Sequence, residues 1–369
     1  MKVRWAASVS RVVAVAASKR ARVLIGLGAL GLLLGAARDN WAQNQLDVEF
    51  HAFQDSRGVT VLSPDANVSK DFSDRTSVKA KFGVDSISAA SDSCARCHPG
   101  GANNGRVVSS VAVTRKYGDS KVTVGGELSK EAFYTAATAM ASVSRDLNKA
   151  NTTVAAGAAY SLNRPQLHPD RLVETQHSLD AYASVTQSWT RRTVTQFGYE
   201  VNQINGFQTN PFLRTKVNGV YTLGNSPDAR TRQAISARLR QGLPADTFLE
   251  VDYRRYHDNW KLASNTLALG LSKHFGERVV AGATYRNYTQ TGAYFYQPSY
   301  TGSPTYFTGD FRLFPFDSDS VTGRADITPK QGFFGMRPGT TLTLEYERYK
   351  TTTGFVAGIF TGGVRIPLK

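Results

Sequence analysis

Leu249-Glu250-Val251-Asp252-Tyr253-Arg254 sorts its side chains into two sets with a period of two. On an extended strand, successive side chains point to opposite faces, so Leu249, Val251 and Tyr253 form an apolar face against a charged one of Glu250, Asp252 and Arg254. The pattern repeats on both sides of this run. Ile235, Ala237 and Leu239 interleave with Ser236, Arg238 and Arg240; Leu342, Leu344 and Tyr346 with Thr343, Glu345 and Glu347. Near the start, Val78, Ala80, Phe82 and Val84 interleave with Lys79, Lys81 and Asp85. A face charged this often is wet, while its opposite face requires an apolar environment.

A soluble β-sandwich alternates in the same way, with its polar face to bulk water. Strand length separates the two architectures. The alternating segments run for roughly ten to twelve residues, where soluble strands average about six and a tilted membrane-spanning strand needs about nine to eleven. Tyr and Phe also gather near the segment ends, as interfacial girdles require. The expected fold is therefore all-β: a transmembrane antiparallel up-and-down β-barrel, apolar outside and polar within.

Turn signals give the strand count. Short connections fall at Ser73-Asp74, Gly118-Asp119, 148–150, Arg191-Arg192, 244–246 and Gly276-Glu277. Between them lie longer ones near 87–106, 163–175, 207–229 and 297–317, the asymmetry of a barrel with tight periplasmic turns and long outer loops. Connections near Glu131, Asn259 and Thr352 read as short for the outer side, and 330–339 as long for the inner. The count is about 16 strands with both termini periplasmic. The chain ends Arg365-Ile366-Pro367-Leu368-Lys369, without the terminal aromatic residue on which many such barrels finish.

The first residues are of another kind. Lys2, Arg4, Arg11, Lys19, Arg20 and Arg22 precede an apolar run from Val23 to Ala37, too short to span a bilayer as a helix. This reads as a signal peptide over 1–42, cut after Ala42, with the barrel over 43–369; a single N-terminal anchor is the alternative. Part of the formal charge of +15 resides in that leader, which holds seven basic residues, the six above and Arg38, against Asp39. The remaining basic residues are dispersed, which suits contact with outer-membrane lipid and lipopolysaccharide and supplies no block or basic helix for nucleic acid.

The two cysteines of the chain fall in one motif, Cys94-Ala95-Arg96-Cys97-His98. This spacing lets two thiols add to the vinyl groups of a haem while the adjacent imidazole reaches the iron. The expectation is one haem c held by Cys94, Cys97 and His98 in the loop at about 87–106. A local Cys94–Cys97 disulfide, favoured by an oxidising compartment, is the competing reading. Zinc is disfavoured for want of four ligands, and the strand and helix that a thioredoxin-type site needs around the motif are not visible in the sequence. For the sixth iron position His168, in another long loop on the same side, ranks above His51, which shares a strand face with Asp47 and Glu49. His177 and Met140 rank lower, and His257 reads as interfacial beside Trp260. An open five-coordinate iron is the alternative.

His177-Ser178 suggests a hydrolase dyad, but neighbours on a strand point to opposite faces and cannot share a proton. Enzyme activity is not expected. The charged residues Glu250, Asp252, Arg254, Arg238, Arg240, Glu345 and Glu347 are placed on the inner wall. The functional expectation is electron transfer or redox sensing at the cell surface, with other cytochromes as partners; the alternative is a porin-like or structural barrel with a loop disulfide.

Several segments resemble an uncharacterised bacterial family, domain of unknown function 3570. They are Val59-Thr60-Val61-Leu62-Ser63-Pro64, Val84-Asp85-Ser86-Ile87-Ser88-Ala89-Ala90-Ser91 and Pro227-Asp228-Ala229-Arg230-Thr231-Arg232. Further on come Asp252-Tyr253-Arg254-Arg255-Tyr256-His257-Asp258-Asn259-Trp260, then Tyr285-Arg286-Asn287-Tyr288-Thr289-Gln290 and Ala293-Tyr294-Phe295-Tyr296. The resemblance implies an outer-membrane β-barrel and no particular activity; the haem motif is additional to it.

Overall fold

The computed structural model describes residues 44–87, 104–166, 173–211, 213–331 and 335–368. The expected leader over 1–42 lies outside them. In the first half the strands are β1 (Gln45–Asp55), β2 (Thr60–Ser73), β3 (Thr76–Ile87), β4 (Asn104–Tyr117), β5 (Ser120–Glu131), β6 (Tyr134–Leu147), β7 (Thr152–Pro165), β8 (Gln176–Ser188) and β9 (Thr193–Gly206). A small hairpin follows, β10 (Arg214–Val217) and β11 (Val220–Leu223). The remainder are β12 (Ala229–Leu243), β13 (Thr247–Asp258), β14 (Ala263–Phe275), β15 (Val279–Gln290), β16 (Phe316–Ile327), β17 (Thr341–Thr351) and β18 (Val356–Pro367).

All but the hairpin form one closed sheet of sixteen strands, each paired antiparallel with its neighbours in sequence. β1 and β18 close it with eleven register pairs, from Gln45↔Pro367 to Asp55↔Ala357. Closure removes every free strand edge, so all ladder groups are bonded within the protein, the condition for crossing lipid with strands.

Register carries the face assignment around the barrel. Val111 pairs with Gly126, Val124 with Ala141, Ala141 with Ala158, and Ala158 with Ala181, so these positions share the outer face. Val111, Val124, Phe197, Ile235, Leu271, Val321, Leu344 and Tyr346 all leave about half or more of their surface exposed there. So much exposed apolar area marks a surface that faces lipid.

Tyrosines set its upper border. Tyr160 Oη lies 2.6 Å from His177 Nδ1, Tyr199 Oη donates to Gln233 (3.0 Å), Tyr253 Oη to Asn265 (2.9 Å) and Tyr285 Oη to Asp319 (2.5 Å). Each ring lies against the apolar belt and each hydroxyl reaches an outward polar residue nearer the strand end, the arrangement of an interfacial aromatic girdle. His257, Arg348 and Lys350 continue the outer face past this line. Tyr117, Trp189 and Phe275 mark the opposite border at the tight-turn end. The molecule is thus a transmembrane barrel of the bacterial outer membrane.

The two ends differ as expected. At the end that holds both termini, the connections are two to four residues long except for 328–340. Four of those short turns use left-handed backbone: Gly118 in one, Asn148, Lys149 and Ala150 in another, Ala245 and Asp246 in a third, and Gly276 in the fourth. At the other end the segments 88–103, 166–175, 207–228 and 291–315 are long, while 56–59, 132–133, 259–262 and 352–355 are short.

Candidate functional site

The outer mouth is built over on one side. The hairpin β10–β11 turns at Asn218-Gly219, both with positive φ (50° and 83°), as a tight two-residue loop demands. Asn218 then ties the hairpin to the 291–315 segment: its Nδ2 donates to the Gly302 carbonyl and its Oδ1 accepts from the Gly302 N–H, both at 2.8 Å. Asn225 and Phe307 exchange backbone bonds of 2.9 and 3.0 Å. Below, Trp260, Leu262, Ala293, Phe295 and Leu313 form a small apolar core. Trp260 meets Phe295 edge-on at 5.2 Å, and its Nε1 donates to the Ala229 carbonyl at 3.0 Å. The sequence reading treated 207–229 as one loop and missed the hairpin, although Asn218-Gly219 was its available signal.

Beneath this cap, Arg230 and Asp258 form a buried ion pair. Arg230 donates from Nε (2.8 Å) and Nη2 (2.5 Å) to Asp258 Oδ2, while Tyr256 Oη donates to the same oxygen at 2.7 Å. Asp258 Oδ1 accepts the Leu262 N–H at 3.0 Å, and the Arg230 guanidinium stacks 4.2 Å from the Trp260 ring. Both oxygens of the carboxylate are thereby hydrogen-bonded, the condition under which a buried pair persists. In the loop, Asp310 chelates Arg312 through Nε (2.9 Å) and Nη2 (2.6 Å), which holds that guanidinium above its ordinary pKa.

The predicted inner-wall residues all face the lumen. At the tight-turn half, Arg238 bonds Asp252 and lies 3.6 Å from Glu250, and Arg240 reaches Glu250 at 3.2 Å. Arg324 bridges Asp326 (2.9 Å) and Glu345 (3.5 Å), while Arg365 binds Asp47 at 2.7 Å. Exposed as they are to lumen water, these pairs contribute little each, up to about 1 kcal/mol.

Of the candidate ligands, Cys94, Cys97, His98 and His168 lie outside the described residues. Their anchors are described. Ile87 pairs with Asn104, and Gln166 bridges Val173, so the cysteine segment and the His168 segment both spring from the long-loop end. His51 faces the lumen, with Nδ1 2.9 Å from Thr361 Oγ1 and Nε2 3.4 Å from Glu49 and 3.7 Å from Asp65. Glu49, His51 and Asp65 bring their donor atoms within 4.8 Å of one another, close enough to share a cation. Lys81 Nζ, 3.5 Å from Asp65, already supplies positive charge there. Register puts His51 beside Ser63, and Ser63 two residues along β2 from Val61, the partner of Ile87, so His51 sits just below the root of the cysteine segment.

His177 points outward to Tyr160, whereas Ser178 points inward, its Oγ donating to Asp180 (3.1 Å) and accepting from Asn202 (2.7 Å). They share no site. Met140 lines a lumen cavity with Ser142, Ala159, Tyr182 and Asn202. His257, paired in register with Gln233 and Ala263, continues the outer face.

A family model described as "Protein of unknown function (DUF3570)" matches residues 98–173 and 165–351. No curated protein matches the chain. Among solved structures the barrel is similar to the outer membrane protein OpdK of Pseudomonas aeruginosa (6% identity, 88% of this chain, 98% of that chain, TM-score 0.48). It is similar too to OmpTdeltaL8, a loop L8 deletion mutant of the Vibrio cholerae outer membrane protein OmpT (12%, 89%, 98%, 0.45). A third is the siderophore receptor PirA of Pseudomonas aeruginosa (12% identity, TM-score 0.46), where 85% of this chain spans 57% of the receptor. With one family model matching more than half its length, the chain belongs to the DUF3570 family, here a sixteen-stranded outer-membrane β-barrel.

Proposed function

We propose that the barrel carries one covalently attached haem c on the segment between β3 and β4 and serves electron transfer or redox sensing at the cell surface. The observation that carries this reading is the motif itself: the chain has two cysteines, and both stand in Cys94-x-x-Cys97-His98. The donor set fits the group. Cys94 and Cys97 would hold the haem through thioether bonds, each thiol adding its hydrogen and sulfur across one vinyl group with nothing lost, and His98 would supply an imidazole to the iron. The pairing of Ile87 with Asn104 roots this segment at the long-loop end, which in such barrels faces outward.

When bound, haem supplies a one-electron couple. His168 is the first choice for the sixth position because its segment leaves the same rim; His51, on the lumen wall below the cysteine segment, is the second. A single haem does not wire a hydrocarbon layer about 30 Å thick, so electron transfer through the membrane requires neighbouring cytochromes. Haem staining and an absorption spectrum of the purified barrel test the reading. A covalently retained haem band, lost in Cys94→Ala/Cys97→Ala, is the expected result. A colourless wild-type protein with no free thiol overturns it and leaves a barrel whose cysteines close a local disulfide.

A further inference from the structure

Two arginines of the lumen wall lack what their neighbours have. Arg230 is held by Asp258, Arg254 by Glu200 at 3.0 Å, and Arg312 by Asp310. Arg232 on β12 and Arg286 on β15 make no ion pair among the described residues, and Arg232 Nε is buried without a hydrogen-bond partner. Both face a cavity of about 1030 Å³ beneath the capped mouth. Among the described residues Glu131 and Asp310 are the carboxylates of that cavity wall, and Asp310 is chelated by its own arginine. A second cavity, of about 530 Å³, shares Arg232, Arg254 and Tyr256 with the first, so these three stand at the junction of the two spaces. Tyr134, Tyr256 and Tyr288 present rings to the upper cavity.

Arg232 is partly withdrawn from water beside the Arg230 guanidinium, and although Asp180 and Asp258 lie near it neither pairs with it, so it keeps donor capacity for a further anion. A planar fork of donors beside aromatic faces has a natural complement in a carboxylate on a flat ring system. We propose that the upper cavity is a binding site for a ring-bearing organic carboxylate, with Arg232 and Arg286 taking the carboxylate and Tyr134, Tyr256 and Tyr288 the ring. Such a carboxylate has two sources: a free solute entering through the mouth, or the propionates of a haem held by Cys94 and Cys97. The site stands on the arginines and the cavity, whether or not haem is attached.

Calorimetric titration of the full-length barrel in detergent with benzoate, and with benzyl alcohol as the uncharged control, tests the site. It is run on the wild type and on Cys94→Ala/Cys97→Ala, which carries no covalent haem. Benzoate binding to both proteins supports the site with a free solute as its source. Binding to the cysteine variant alone supports it with haem propionates as the occupant. In either case, in the protein that binds, Arg232→Gln and Arg286→Gln each weaken benzoate by about tenfold or more, the loss of one charge-assisted contact, while Arg240→Gln, in the lower lumen, leaves it unchanged. Heat-modifiable gel mobility confirms that each variant is folded, and Arg286→Gln keeps the test if Arg232→Gln fails to fold. No benzoate binding to either protein, equal binding of benzyl alcohol, or affinity indifferent to the arginines overturns the proposal.

Discussion

The lumen has two unlike walls. Along the middle of β6 and β7 the inward positions are Ala136, Thr138, Met140 and Ser142, then Ala155, Gly157, Ala159 and Ser161. Along β12 and β13 they include Arg230, Arg232, Arg238 and Arg240, with the small Ala234 and Ser236 between them, then Glu250, Asp252, Arg254, Tyr256 and Asp258. Both walls obey the same period of two and turn comparable apolar faces to lipid. The difference lies in size and charge alone: the small wall leaves volume open, and the arginine wall supplies the field that selects what occupies it. Space and charge thus come from different strands of one lumen, separated around the wall by β8 and β9.

The contrast can be broken most severely at the top of the charged wall. Asp258→Ala strands the buried Arg230 guanidinium, whose side chain is 8% exposed, and is expected to cost about 3–5 kcal/mol. The urea midpoint of the folded barrel reads this directly, and adding Arg230→Met should recover most of the loss. On the small wall the sensitivity is to volume. A Cβ on Gly157 meets Tyr182 Cε1 at 2.6 Å, Ser142 Cβ at 2.8 Å and the Ala141 carbonyl at 3.0 Å. Gly157→Val should therefore destabilise by about 1–3 kcal/mol through overpacking, in the same unfolding assay. The smallest effect belongs to the lower lumen, where the Arg240 side chain is 61% exposed beside a 38% exposed Glu250. Arg240→Gln should shift stability by less than about 1 kcal/mol; a larger shift would mean that the wet network is structural after all.

Much of the barrel was legible because its signals are local. Leu249 to Arg254 announces a strand and assigns its faces without reference to any other segment, and the alternating connection lengths gave about sixteen strands, the number observed. The same parity separated His177 from Ser178 and placed Glu250, Arg254 and Glu345 inside. The hairpin at Asn218-Gly219 escaped because strands of four residues are too short to show alternation. Arg232 and Arg286 escaped for another reason. Each carries the inward parity of its strand, but their lack of acidic partners depends on register with β9, β13, β14 and β16, which one strand's pattern does not contain.

By itself, the sequence determined the long barrel strands, which of their faces meet lipid, and that both cysteines stand in one Cys-x-x-Cys-His motif, because each of these is written within a dozen consecutive residues; the alternation of connection lengths added the approximate number of crossings. Only the tertiary structure decided that β1 closes on β18 across some three hundred residues, that loops 207–228 and 291–315 knit into a cap, and that Arg232 and Arg286 share a cavity with Tyr134. Those are contacts between segments far apart in the chain, fixed by closure and register, and an alternating pattern carries no information about which strand lies across the lumen.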